Sequence, residues 1–323
     1  MSITIKQYTN TLQDDWDNFI NSSISNTSLF FLRKFLSYHG DHKFNDYSLL
    51  IYNKSELVSV IPAAVNSKGL LLSHPGLSHG SFATQKGLGL KEILQIISAV
   101  QIYIENEALL GIEINTQPAI YSLHQSMYID FTLDKLGFKR VCSDLTNYIY
   151  TDSPQLIYSR FNESCKRAIR KATKLELSFN ISDQFIEFYK ILKSNLLQRH
   201  NVLPAHTLKE LCLLKSLFPE SINLFSISNK KQMIAGTIAF RINDFSQLLF
   251  YIAHDPQFQD MRPVNLLLSK VAYWCAENGY KILDFGKFTL NGEPNLSLAR
   301  FKEGFGSTGA FRNKYSWIVN NEK

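Results

Sequence analysis

The sequence is poor in cysteine, with four in 323 residues, and none of them stands in a Cys-x-x-Cys pair. This spacing excludes both the disulfide framework of a small secreted domain and a zinc site built from paired thiolates. No run approaches the ~18 consecutive apolar residues of a membrane-spanning helix, and residues 1–6 lack the apolar core of a signal peptide. We therefore predict reduced cysteines, no transmembrane segment and a cytoplasmic location.

The excess of positive charge is also small, because 34 lysines and arginines stand against 28 acidic residues, a formal net charge of +6. Such a balance favours anionic ligands such as phosphates without demanding a nucleic acid. Hydrophobic residues make up 45% and charged residues 19%, which is ordinary for a globular protein and excludes a disordered or fibrous one. A chain of 323 residues fits two domains of about 150 residues each.

One pattern of strands and helices occurs twice along the chain. Each copy contains strands joined by a tight turn, with the turns at Asn53-Lys54 and Asn229-Lys230, followed by an amphipathic helix and a further strand. The first copy comprises strands at 47–53, 56–65, 69–74 and 109–115, a helix at 90–107 and a hairpin-like region at 138–150. The second comprises strands at 222–228, 232–242, 246–253 and 280–285 and a helix at 263–278.

We interpret this repetition as a tandem duplication of an α/β (α+β) domain, with a mixed, largely antiparallel sheet flanked by helices in each copy. The predicted domains are residues 1–152 and 153–309, with Ser153-Pro154 at the boundary. The last strand, 310–319, is a candidate for completing the first domain.

The most basic segment follows this boundary, where residues 162–175 have the pattern of a capped helix. Its positive side chains are Lys166, Arg167, Arg170, Lys171 and Lys174. One interpretation is a solvated surface helix; the other is a helix that docks a phosphate-bearing ligand, which would relieve the repulsion between like charges four residues apart.

The order of these features resembles the FemAB-like branch of the GNAT acyltransferase superfamily, in which two GNAT-like domains are fused in one chain. The motifs that carry the resemblance are the basic helix, Arg199, the strands 234–239 and 249–251, Asp284-Phe285-Gly286, and Phe301-Lys302-Glu303-Gly304-Phe305-Gly306. The resemblance implies an N-acyltransferase with its donor in the cleft of the second domain. Acyl-CoA is the first choice of donor, and aminoacyl-tRNA, used by some members to extend peptidoglycan side chains, is the alternative.

The chain departs from the GNAT pattern at the loop before the central helix of the second domain. Ordinary GNAT domains have a Gly-rich RxxGxG/A loop there, whose backbone N–H groups hold a pyrophosphate. The corresponding residues 259–265 contain no glycine, and Pro263 removes one N–H donor.

Three residues are candidates for catalysis, because aminolysis needs a proton acceptor and a group that stabilises an oxyanion. Lys302 either contacts a donor phosphate or the reacting carbonyl, or is a surface lysine. Asp284 lies either beside the cleft or in a structural ion pair, and Tyr251 either orients a substrate or packs. The candidates for donor binding are Lys166, Arg167, Arg170, Lys171, Arg199 and Arg300.

The predicted function is thus transfer of an acyl group to an amine of a cell-envelope or surface-glycan precursor, without a metal. The resemblance alone implies this class of acceptor, a small molecule or a glycan or peptide precursor. One alternative is an aminoacyl-tRNA-dependent peptidoglycan bridge ligase, for which the basic helix would bind tRNA. The other is a non-catalytic module that binds polyphosphate or nucleic acid.

Overall fold

The computed structural model describes residues 2–22, 27–40, 43–122, 124 and 126–320, and the side chains of Arg199 and His200 lie outside the described part. The helices are α1 Gln13–Ser22, α2 Arg33–Leu36, α3 Leu90–Asn106, α4 Tyr128–Lys135, α5 Pro154–Arg160, α6 Glu163–Thr173, α7 Phe185–His200, α8 Leu208–Leu217, α9 Pro263–Glu277 and α10 Leu296–Glu303. Short 3₁₀ helices lie at Asn10–Leu12, Leu29–Phe31, Ala119–Tyr121 and Pro256–Met261. The strands are β1 Ile3–Gln7, β2 Leu49–Asn53, β3 Glu56–Ile61, β4 Ala63–Val65, β5 Leu70–Ser73, β6 Ala83–Thr84, β7 Gly111–Asn115, β8 Lys139–Tyr150, β9 Leu177–Ser182, β10 Ile222–Asn229, β11 Gln232–Asn243, β12 Ser246–His254, β13 Ile282–Lys287, β14 Thr289–Leu290, β15 Glu293–Pro294 and β16 Thr308–Ile318.

The chain forms two compact units. The first takes in the residues up to Leu145, Asn291–Glu293 and the residues from Ala310 onward. The second takes in Thr146–Leu290 and Pro294–Gly309. The last strand therefore lies mostly in the first unit, where its residues Lys314–Ile318 pair with β7.

The first unit contains the antiparallel strands β1, β2, β3 and β6 and a second group in which β4 pairs with β5 and β5 with β7. The strand predicted at 56–65 is divided in two at Pro62, because proline has no N–H to donate to a ladder. The chain thereby passes from one sheet to the other. The region predicted to be hairpin-like, 138–150, is instead the single strand β8.

The core of the first unit lies between α3 and the strands. Ile93, Ile96, Ile97, Val100 and Ile104 recur at the three-and-four spacing of one helical face, and all five are buried. They pack in one cluster with strand residues such as Leu49 and Ile112.

In the second unit, β9, β10, β11 and β12 form an antiparallel sheet, and β12 continues into a parallel pair with β13. The 15-residue helix α9 packs on one face of this sheet, with Leu267, Val271 and Cys275 among its buried residues. Phe188 of α7 lies against Gly236 on β11, where a Cβ would come within 2.5 Å of the phenylalanine ring. The central helix α9 follows β12 along the chain, after a loop that contains the 3₁₀ helix Pro256–Met261.

The two Asn-Lys turns that suggested a duplication share a left-handed lysine. Lys54 and Lys230 both have positive φ, 57° and 54°, at the ends of β2–β3 and β10–β11. No helix in the described part of the chain is long and apolar enough to cross a lipid bilayer.

Candidate donor cavity

The strands β12 and β13 separate part-way along their length. They pair in parallel only at Ser246–Ile282, Gln247–Leu283 and Leu248–Asp284, although β12 continues to His254. Both strands are irregular at this point, since the register of β12 with β11 shifts between Leu249 and Tyr251, and that of β13 with β8 shifts between Asp284 and Lys287. The second half of β12 is therefore left without β13 as its neighbour.

The turn at Gly286 bends β13 away, and two buried side chains hold it. Gly286 has φ +77°, a conformation that glycine adopts without the cost that other residues incur. Asp284, with no exposed surface, accepts hydrogen bonds from the Gly286 N–H at 2.6 Å and from the Thr146 hydroxyl at 2.5 Å. Lys302 Nζ donates to the carbonyl oxygens of Gly286 at 2.6 Å and of Lys287 at 2.9 Å.

The first turn of α9 presents unpaired backbone donors. Arg262 precedes the helix in the left-handed conformation, with φ +56°, and Pro263 is the first helical residue. Among the described residues, the Val264 and Asn265 N–H groups donate no hydrogen bond. Such a helix start carries a partial positive charge and favours an anion.

A cavity of about 450 Å³ lies at this helix start. Its wall is formed by the end of β12, the loop before α9, the first turn of α9 and the helix α10. The lining residues are Asn195, Ile252, His254, Gln259, Arg262, Pro263, Val264, Asn265, Asn295, Ser297, Leu298, Phe301 and Lys302. A cavity with a helix N-terminus at one end and a buried ammonium in its wall can bind an anion and stabilise developing negative charge.

Residues 159–303, most of the second unit, match the family model described as acetyltransferase (GNAT) domain. Among solved structures, the chain is similar to FemX, with a TM-score of 0.72, 13% identity and 98% of each chain covered. It is also similar to the tandem GNAT protein from the clavulanic acid biosynthesis pathway, with a TM-score of 0.54, 7% identity, and 99% of this chain and 100% of the other covered.

The chain has a FemAB-like tandem GNAT fold.

The fold class and the resemblance predicted from the sequence are thereby confirmed. The C-terminal domain of a putative lysylphosphatidylglycerol synthetase from Agrobacterium fabrum shares the fold, with a TM-score of 0.61, 8% identity, and 95% of this chain and 92% of the other covered. A search of curated proteins gives no match. The fold is of the GNAT acyltransferase type.

The three residues predicted to be catalytic lie in three different environments in this fold. Lys302 lines the cavity and is only 3% exposed, so it is not a surface lysine. Asp284 is fully buried at the strand end, where it shapes the Gly286 turn. Tyr251 lies outside the cavity lining, and its hydroxyl is 2.8 Å from His206 Nδ1. Burial raises the pKa of Tyr251 to about 12, so its phenol stays protonated at neutral pH.

Of the six predicted donor-binding residues, the five whose side chains the structure describes lie outside the cavity lining. In α6, Cys165, Ile169 and Ala172 are buried, whereas Arg167, Arg170 and Lys171 are exposed. Lys166 is half-buried and lies 3.4 Å from Glu163, and Arg170 lies 3.6 Å from the same carboxylate. Arg300 is exposed on α10, and the Arg199 side chain is among those outside the described part.

Other residues in the wall were not predicted as functional. His254 is the last residue of β12, and its carbonyl oxygen accepts a hydrogen bond from Asn195 Nδ2 at 2.5 Å. Asn265 contributes both a backbone donor and an amide side chain that hydrogen-bonds with Cys165. A lone histidine at a strand end cannot be recognised as functional from the sequence, because only the cavity that other segments form makes it a candidate.

No group of three or more metal-ligating side chains occurs within the described ranges.

Proposed function

We propose that the protein is an N-acyltransferase that moves an acyl group from acyl-CoA to an amine of a cell-envelope or surface-glycan precursor. The observation that carries this proposal is the cavity between the end of β12 and the start of α9, with Lys302 in its wall. The GNAT family match over residues 159–303 supports an activated acyl donor in this unit. The class of acceptor rests on the FemAB-like resemblance.

The phosphates of the donor would bind at the start of α9. The Val264 and Asn265 N–H groups offer two donors, and the Arg262 side chain adds a positive charge in the same wall. Arg262 adopts a positive φ of 56°, a conformation that glycine supplies more cheaply. Arginine at this position thus retains a left-handed turn and adds a side chain that pairs with phosphate.

The acyl end would lie near Lys302. The amine nitrogen attacks the thioester carbonyl carbon, negative charge develops on the carbonyl oxygen, and the C–S bond then breaks to release the thiolate. The Lys302 ammonium is fixed by two backbone carbonyls, so its positive charge is preorganised for that oxyanion. His254, in the same wall, is the candidate to accept the proton that the amine loses.

Replacing Asn265 with aspartate tests the phosphate end of the cavity. The near-isosteric change puts a negative charge in the first turn of α9, so we expect the KM for acetyl-CoA to rise about tenfold or more. Helix stability should be unchanged or slightly higher, because an acid at a helix start interacts favourably with the dipole. The measurement is steady-state kinetics together with Tm.

The control is Asn278→Asp, the same chemical change at the other end of α9, where Asn278 is exposed. It should leave the KM for acetyl-CoA unchanged. An unchanged KM in Asn265→Asp would remove the start of α9 from the donor site.

The exposed cations of α6 favour aminoacyl-tRNA as the second candidate donor. Arg167, Lys171 and Lys174 have no ion-pair partner in the part of the chain that the structure describes. If they contact phosphates, Arg167→Ala with Lys171→Ala should reduce the salt slope of deacylated-tRNA binding by nearly two. Lys209→Ala with Lys231→Ala, two exposed lysines elsewhere in this unit, is the control. Equal slopes in both double variants would show that α6 is a solvated surface helix that does not contact phosphates.

Turnover of any acyl donor would exclude the other alternative, a non-catalytic module that only binds polyphosphate or nucleic acid.

A further inference from the structure

The first unit contains a larger cavity, of about 770 Å³, that the reaction proposed for the second unit does not use. It lies between the start of α3, the residues after β7 and the start of α4. The lining residues that matter for its chemistry are Ser81, Thr84, Thr116, Gln117 and Asp130.

Three buried polar atoms of this wall lack hydrogen-bond partners among the described residues. They are the Ser81 hydroxyl oxygen and both the oxygen and the nitrogen of the Gln117 side-chain amide. Ser81 is 2% exposed, and burying its hydroxyl without a hydrogen-bond partner among the described residues costs free energy. Unsatisfied buried groups are uncommon in folded proteins, and the two residues that carry these three both line one cavity, which favours a polar ligand there.

Asp130 supplies a negative charge to the same cavity. Its Oδ1 accepts hydrogen bonds from Asn313 Nδ2 at 2.9 Å, Tyr315 OH at 3.3 Å and Thr116 Oγ1 at 3.4 Å. All three donors are neutral, and neither an ion-pair partner nor a partner for Oδ2 occurs within the described ranges. The carboxylate is therefore oriented through one oxygen and leaves the other available to a cation.

A phosphate-bearing ligand does not suit this cavity, although glycines precede α3 as they do in phosphate loops. Among the described residues, no lysine or arginine lines the cavity. The Glu92 carboxylate already accepts the Gly89 N–H, at 3.1 Å, where an anion would otherwise bind. Together with Asp130, this makes the cavity unfavourable for negative charge.

We propose that this cavity binds a small molecule with a primary ammonium group flanked by hydroxyl groups. The ammonium contacts Asp130 Oδ2, and the hydroxyls exchange hydrogen bonds with Ser81 and Gln117, which satisfies all three unpaired atoms. This binding requires no acyl transfer in the second unit, so it is tested without any acyl donor.

The test is calorimetric or NMR titration of the full chain with glucosamine and with 2-amino-1,3-propanediol, two probes that carry this arrangement. We expect at least one to bind with a Kd below about 10 mM. N-acetylglucosamine and glucosamine 6-phosphate, which lack the charge or add a phosphate, should bind more weakly than glucosamine.

Asp130→Asn is the matched variant, because the amide oxygen still accepts from Asn313 and Tyr315 while the charge is lost. It should weaken binding of the amine at least tenfold, whereas Asp134→Asn, an exposed acid on the same helix, should not change it. Ser81→Ala should weaken binding but raise Tm, since it removes a buried unpaired hydroxyl. The proposal is overturned if neither amine binds below about 10 mM, if Asp130→Asn leaves the Kd unchanged, or if glucosamine 6-phosphate binds most tightly.

Discussion

Replacing Lys302 with methionine should lower kcat for acyl transfer by about a hundredfold or more. The ammonium is a buried positive charge in the wall of the candidate donor cavity, held at 2.6 and 2.9 Å by the carbonyl oxygens of Gly286 and Lys287. Removal of one preorganised group that stabilises an oxyanion typically costs 10²–10³ in kcat. Methionine has a similar length and preserves packing, so the change isolates the charge. The measurement is kcat and KM for acetyl-CoA with a saturating amine.

The variant will also lose some stability, because the partly buried hydrogen bonds from Lys302 to the Gly286 and Lys287 carbonyls are lost. Kinetics must therefore be measured well below its Tm. Lys270→Met, at an exposed lysine of α9, is the control for loss of a positive charge and should be neutral. A folded Lys302→Met variant with wild-type kcat would show that the lysine only supports the Gly286 turn.

Acidification should destabilise the first unit through His74. Burial lowers the pKa of His74 from 6.5 to about 4, an effect that Asp46 opposes and Arg33 and His39 reinforce. Because the folded-state pKa is depressed, the unfolded chain binds the proton first, and stability falls as the pH drops below 6.5. Each pKa unit is worth about 1.4 kcal/mol, so the loss approaches about 3 kcal/mol near pH 4.

Urea unfolding at pH 7 and pH 5 measures this loss. His74→Gln should show a smaller difference between the two pH values than the wild type, whatever its absolute stability. His124→Gln, at an exposed histidine of the same unit, should keep the wild-type difference. Equal pH dependence in wild type and His74→Gln would mean that His74 accepts a proton in the folded state without cost. The fully buried His79, whose pKa burial also lowers, would contribute in the same direction.

The sequence predicted the elements that local pattern determines. The apolar spacing of α3, the Pro263 and Gly279 that bound α9, and the two Asn-Lys turns predicted helices and hairpins close to those observed, because periodicity and turn chemistry act within a few residues. It did not predict the break at Pro62, which moves the chain between two sheets. It also wrongly predicted a hairpin-like region at 138–150, which is the single strand β8 and pairs with segments distant in sequence.

Only part of the candidate site could be predicted from the sequence. The motif containing Lys302 was identified, but the burial of its ammonium depends on carbonyls 15 and 16 residues away. No sequence pattern indicated a function for His254 or Asn265, because both become candidates only through the cavity that forms where β12 and β13 separate. The basic residues of α6 were the conspicuous sequence feature, yet they lie outside the cavity lining, since charge runs favour solvent wherever the fold permits.

We propose that the cavity at the start of α9 binds an activated acyl donor through the donor's phosphates. The most direct measurement is a thermal shift of the wild type and Asn265→Asp with acetyl-CoA, CoA and deacylated tRNA. A ligand at 100 times its Kd stabilises by about 2.7 kcal/mol, which raises Tm measurably. We expect a clear rise in Tm for the wild type with acetyl-CoA and CoA and a smaller rise for Asn265→Asp. No rise with either CoA species, or an equal rise in the two proteins, would contradict it.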